Sequence, residues 1–454
     1  MPTNEQWNYT IGAVYKHFTD HGFHTFVLSR NMLNNVAYKF PENDESLAKT
    51  FDYKSQEIEN KIRYENTWIK GNFRVNFSLN TEYVKYNNNT FQQIYANNDL
   101  QDVIYQTDMD LVRYGGSVQL SKLFFSDKLS LSFGMRTDAN SFSKSMQNLA
   151  DQLSPRFSAS YAISPKLSIN ASVGRYFKLP PYPALGFKNL NGELVNKNNK
   201  IKYIGSDHLI GGVEYSPNEN TIFTVEVFNK QYFNYPVSVA DSISLATKGN
   251  DFGVVGNEEI VSSGEGHAYG FEILNRTRVG KMLNLIVAYT YVRSEFKDKN
   301  GQYIPTSWDN QHILTLTSTM NFKNNWSGGL KWRFAGGLPY TPYNFELSSL
   351  KEAWDTKGQA FLDMNRINSE RLGNFHQLDV RVDKKFFFNK WSLMLYLDIQ
   401  NLYNFKSKQP DYVVREKDAN GDYLLTDGGT RYVLKAIPSE SGTVLPTIGV
   451  MIEF

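Results

Sequence analysis

Seven histidines carry most of the metal-binding and acid–base potential of this sequence: His17, His21, His24, His208, His267, His312 and His376. His21 and His24 bracket Gly22-Phe23 in a tight turn, a spacing that could clip a metal ion, but no third ligand accompanies them. An interfacial turn is the preferred reading of that pair. There is no HExxH and no GxSxG, so the commonest hydrolase signatures are absent. A serine–histidine pair brought together by neighbouring strands is the enzymatic arrangement left to look for. With no cysteine there is no disulfide framework, thiolate zinc site, iron–sulfur cluster or thiol nucleophile. Asp418-Ala419-Asn420-Gly421-Asp422 is similar to the front of a calcium loop, but its glycine arrives early and the nearest later acid is Asp427. Asn420-Gly421 between two short extended stretches reads better as a hairpin turn. No catalytic residue, metal site or cofactor is assigned.

The other polar residues of interest bind rather than react. Arg136, Glu214, Glu226, Lys331, Asp379, Arg381 and Asp398 alternate with apolar neighbours and share faces with small polar side chains, which marks them as candidates for a water-filled interior. Arg333 belongs to the same rows. Aromatic residues between the regular segments, among them Tyr182, Trp308, Tyr340 and Tyr343, could stack on a sugar, a porphyrin or an aromatic chelator. They could equally pack the connections against one another. Tyr182, Trp308, Arg333, Tyr340 and Tyr343 are the candidate substrate contacts.

The elements that must position these residues alternate with period two. Leu283, Leu285, Val287, Tyr289 and Tyr291 are interleaved with Asn284, Ala288 and Thr290, and Leu393, Leu395, Leu397 and Ile399 with Asp398 and Gln400. Successive strand side chains point to opposite faces, so each such segment has one apolar and one polar face. About seventeen segments fit, near 7–18, 23–33, 52–66, 71–86, 110–124, 127–142, 154–163, 165–177, 207–216, 220–233, 266–279, 281–296, 309–322, 325–336, 374–388, 390–402 and 444–454. Most exceed the ~5–6 residues usual in soluble sheets and suit the ~9–11 that cross a bilayer at a tilt. No second apolar layer covers their faces; a membrane would. No run of apolar residues is long enough for a transmembrane helix. Short connections, such as Thr19–Gly22, Thr67–Lys70 and Phe388–Lys390, alternate with long ones near 34–51, 87–109, 178–206, 234–265, 337–373 and 403–443. Outer-membrane barrels alternate in this way, with short periplasmic turns and long outer loops. Rings cluster at both strand ends, including Phe18, Phe23, Phe125, Phe387 and Trp391 beside short turns, as interfacial girdles require. The near-neutral charge of +2 argues against a nucleic-acid partner.

Several stretches together resemble the barrel of TonB-dependent outer-membrane receptors, especially the Bacteroidetes kind. They are SPRFSASYAISPKLSINASVGRYFKLPPY (154–182), SDHLIGGVEYSPNENTIFTVEVFNKQY (206–232), GHAYGFEI (266–273), SWDNQHILTLTSTMNF (307–322), WRFAGGLPYTPYN (332–344) and NFHQLDVRVDKKFFF with DIQNLYNF (374–405). The closing LPTIGVMIEF resembles the terminal signature of bacterial outer-membrane proteins. The resemblance implies a bacterial outer-membrane location, a 22-strand barrel around a plug domain, and energised import of a scarce nutrient through a TonB complex. The nutrient would be of the siderophore, cobalamin, peptide or glycan class. Residues 1–454 are expected to be all-β: an antiparallel transmembrane barrel of about 17 of those 22 strands, incomplete or open, N-terminally truncated and without a plug. The short first connection supports the same expectation, because an even-stranded barrel should begin with a long outer loop. A passive porin or adhesive barrel is the alternative. Outer-membrane lipid is the expected surrounding medium; the plug, the TonB complex and a small-molecule or oligomeric nutrient are the expected partners of a full-length protein.

Overall fold

The computed structural model describes residues 3–96, 99–189, 191–248 and 256–454. Its main sheet has 18 strands, one of which is the three-residue Tyr303–Pro305; the other seventeen are long and follow one another in chain order. They are β1 (Thr3–Thr19), β2 (Gly22–Lys39), β3 (Phe51–Lys70), β4 (Phe73–Ala96), β5 (Asp99–Phe124), β6 (Leu129–Asn140), β7 (Ser154–Ser164), β8 (Leu167–Lys178) and β9 (Ile204–Asn218). There follow β10 (Thr221–Ser238), β11 (Ile260–Val279), β12 (Leu283–Lys297), β13 (Gln311–Asn321), β14 (Trp326–Ala335), β15 (Phe375–Phe387), β16 (Ser392–Gln400) and β17 (Leu445–Glu453). Every neighbouring pair is antiparallel. Each segment read from periodicity is one of these strands.

Two connections differ from expectation. The turn placed at Thr67–Lys70 lies at residues 71–72, where Gly71 takes φ 58°, a conformation glycine adopts without steric cost. The long connection expected over 87–109 is instead a continuation of β4 and β5, which are 24 and 26 residues long and paired through Ala96↔Asp99. Asn87-Asn88-Asn89-Thr90 has the composition of a loop. Here the alternate residues satisfy one another: the Asn88 amide donates to Tyr86 Oη (2.9 Å), Thr90 Oγ1 donates to Asn88 Oδ1 (2.6 Å), and Tyr86 Oη meets Tyr53 Oη at 3.1 Å.

Register fixes the faces. Arg136 lies opposite Ser117 and Ser154, Glu214 opposite Ser168 and Thr224, and Glu226 opposite Gly212 and Glu272. Lys331 lies opposite Thr317 and Asp379, and Arg381 opposite Gly329 and Asp398. Carried from strand to strand, the pairing puts all seven on one polar face, with Arg333. The other face bears the aliphatic rows, for example Leu393↔Ile452, Leu395↔Val450 and Leu397↔Ile448. None of these is buried, and Ile448 is 83% exposed. The polar face is the concave one. Tyr182, which follows β8, reaches Glu59 on β3, and Lys39 at the end of β2 donates to the Lys357 carbonyl (2.6 Å) between β14 and β15. Loops make such reaches over the inside of a curled wall, not around its outside. Lys384 interrupts the apolar face beside a short turn, where its ammonium bonds the Asn324 carbonyl and sits 5.2 Å from the Trp326 ring centroid.

Among the described residues β1 pairs only with β2 and β17 only with β16, so the sheet is open. Seventeen alternating strands leave β1 and β17 running in the same direction, which bars an antiparallel seam between them.

Candidate functional site: a cleft beneath the outer loops

The long connections fold back onto the concave face where β3–β5 rise past the other strands. Val84 and Tyr86 of β4 and Met109 and Leu111 of β5 are buried together with Phe142, Met146, Leu185, Ile201 and Ile260 from the loops and their strand ends. Polar bonds set the position of this cover. Thr107 Oγ1 donates to the Gly186 carbonyl (2.6 Å), and the Asn196 amide donates to the carbonyls of Ala184 (2.6 Å) and Glu258 (2.9 Å) while its oxygen accepts from the Ile260 amide (2.8 Å). Gly186 is needed for the approach: a Cβ there would stand 2.5 Å from the Tyr86 ring.

Beside this cover lies a cleft of about 400 Å³. Its apolar lining is Phe177, Leu179, Pro180, Pro181 and the rings of Tyr182 and Tyr203; its polar lining is Glu57, Arg113, Arg136, Asp138 and Lys178. Most of these polar groups are already satisfied. Arg113 pairs with Glu82 (2.7 Å) and lies 3.7 Å from Glu59, to which Tyr182 Oη donates at 2.6 Å. Arg136 clasps Asp138 through two bonds of 2.6 Å. Tyr203 Oη accepts from the Asn140 amide at 2.8 Å. Burial first, then the Glu59 carboxylate, pushes the Tyr182 phenol well above its ordinary pKa, so it stays a hydrogen-bond donor.

The structure brings two of the sequence candidates, Tyr182 and Arg136, to this cleft and leaves the others elsewhere. Arg333 lies near the loop end of β14, 3.0 Å from Asp379, which also accepts from Gln377 and the Asn401 amide. Arg381 pairs with Asp383 (2.7 Å) and lies 4.0 Å over the Tyr396 ring. Trp308 is half exposed. Tyr340 pairs with Glu370 in a two-residue ladder, and Tyr343 packs on a second buried cluster of Trp354, Ala360 and Tyr432. Asp418 accepts from the amides of Asn420 (2.8 Å) and Asp422 (3.0 Å), the geometry of a turn. His24 Nδ1 meets Tyr64 Oη at 2.8 Å. Ser206 and His208 touch at 3.0 Å along one strand, with no acid bonded to the imidazole among the described residues to orient it as a base.

Sequence reasoning passed over Glu57, Arg113 and Lys178, although Glu57, Glu59 and Lys61 recur at every second position of one strand. It also passed over Asp309. That carboxylate is fully buried, accepts from the Ser294 amide (2.7 Å), and ion-pairs with Arg371, whose guanidinium also donates to the Asp309 and Gly337 carbonyls (2.7 and 3.0 Å). Asn368 adds a further tie, donating to the carbonyls of Thr247 (3.1 Å) and Pro305 (2.8 Å).

The model of the TonB-dependent receptor-like β-barrel family matches residues 1–402. The chain belongs to this family. It is therefore a receptor barrel of the bacterial outer membrane. No curated protein matches it in sequence. Among solved structures it is similar to the ferripyoverdine receptor of the Pseudomonas aeruginosa outer membrane (TM-score 0.63, 12% identity, 88% of this chain and 53% of that one). It is similar also to the ferric-catecholate import receptor Fiu of Escherichia coli K12 (0.61, 12%, 99% and 64%). A third is the ferric yersiniabactin uptake receptor FyuA of Yersinia pestis (0.60, 11%, 99% and 61%). At these identities the likeness is one of fold. The receptor barrel spans between half and two thirds of the length of these structures.

Proposed function

We propose that this chain is the wall of a TonB-dependent receptor that captures a scarce nutrient at its outer mouth and passes it inward with energy supplied through TonB. A plug domain and the TonB complex are the partners this reading requires, and the order of the sequence motifs favours the Bacteroidetes kind of receptor. The observation that carries it is the cleft: a concave, aromatic-walled recess on the inner face, at the loop end, in a sheet whose other face is aliphatic. Recesses of this size with a few convergent polar groups are the usual form of small-ligand sites. A porin needs no such covered recess.

The test is uptake. Cells carrying the chain together with the plug-bearing part of the same receptor should accumulate the nutrient, and a proton-motive-force uncoupler should abolish accumulation. Uptake that persists in uncoupled cells and follows the external concentration would assign the barrel to passive diffusion instead.

A further inference from the structure

Two charges in the cleft stand apart from the rest. Arg113, Arg136, Asp138, Tyr182 and Tyr203 are all engaged with neighbours, as their distances show. Glu57 and Lys178 line the same space, yet among the described residues neither has a hydrogen-bonded or ionic partner, and they do not pair with each other. Glu57 is half-buried on the concave face of β3, and Lys178 ends β8. Phe177, Pro180, Pro181 and Tyr182 line the same cleft. A half-buried carboxylate left without a partner is unfavourable, and a cation brought by a ligand would relieve it.

We propose that the cleft binds a short zwitterionic peptide, its free amino group on Glu57, its free carboxylate on Lys178 and its apolar side chains against Phe177, Pro181 and Tyr182. This rests on the reading of the loop end as the nutrient-capturing mouth and names the nutrient class. One carboxylate on β3 and one ammonium at the end of β8, five strands away along the wall and lining one partly apolar recess, match a molecule with unlike charges at its two ends; an anionic iron chelate would leave Glu57 unmatched.

The experiment is calorimetric titration of the purified full chain in detergent with the tripeptide Ala-Leu-Ala, its N-acetylated form and its C-amidated form. The free peptide should bind saturably, and blocking either end should weaken binding by about tenfold, as expected for a lost charge-assisted hydrogen bond. In Glu57→Gln the free and acetylated peptides should bind alike; in Lys178→Met the free and amidated peptides should. Because the blocked peptides probe the unaltered chain, a variant that fails to fold does not remove the test. Absence of saturable binding, or equal binding of all three peptides, would overturn the proposal. A chain that supports energised uptake but ignores peptide ends would sink this inference alone, whereas uncoupler-resistant uptake would sink the reading beneath it.

Discussion

At the residue scale, the outer loops hold together through a few buried polar groups. Asp309 is the clearest case, a carboxylate with no solvent contact that answers a backbone amide and Arg371, with Arg293 3.7 Å away. Removing one partner of a buried pair leaves the other charge uncompensated, which costs several kcal/mol when both are fully enclosed. Arg371 keeps some solvent access, so Asp309→Ala should cost about 3 kcal/mol. The check is a thermal melt together with limited proteolysis, in which cleavage within 337–373 should accelerate. An unchanged digest would show that the tie does not hold the loop. Tyr182→Phe should be milder. It removes one donor from Glu59 but leaves Arg113 beside it, so a loss of about 1 kcal/mol is expected from chemical denaturation. A loss several times larger would mean that the ring, not the hydroxyl, is what the substitution disturbs.

At the element scale, the two faces of each strand make opposite demands. Val287 and Ala288 are neighbours on β12, the first in the aliphatic row and the second facing Leu274 and Thr315 on the concave side. Val287→Arg should lower folding stability in lipid by about 2–4 kcal/mol, as charges do at mid-bilayer, while Ala288→Arg should change it little. Equal penalties in a denaturant titration would contradict the assignment of faces. That assignment was legible in sequence because side-chain direction in a strand is strictly periodic, and a run such as 283–291 shows both faces in nine residues. All seventeen strands were legible for the same reason. The rise of β4 and β5 over 87–109 was not, since asparagine and threonine favour turns unless something covers them, and the cover comes from residues about a hundred positions later. The cleft was illegible on the same ground. Glu57, Arg113, Lys178 and Tyr203 lie on β3, β5, the end of β8 and the loop before β9, and only register and loop folding bring them together.

At the scale of the whole molecule, the wall curls far enough for loops to cross its mouth, yet among the described residues the outer edges of β1 and β17 have no ladder partners. Unpaired backbone groups in hydrocarbon cost several kcal/mol each. The chain folded alone should therefore lack the heat-sensitive compact band that closed barrels give in detergent electrophoresis; a compact band that shifts only on boiling would show that the seam closes after all. The central claim, that the aliphatic face meets lipid and the polar face encloses water, is tested most directly by scanning β12. The chain has no native cysteine, so spin labels placed singly at 283–291 in lipid–detergent micelles report unambiguous positions. Collisions with apolar oxygen should peak at 283, 285, 287, 289 and 291, and collisions with a water-soluble nickel chelate at 284, 286, 288 and 290. Loss of that alternation, or its reversal, would contradict the membrane-wall account.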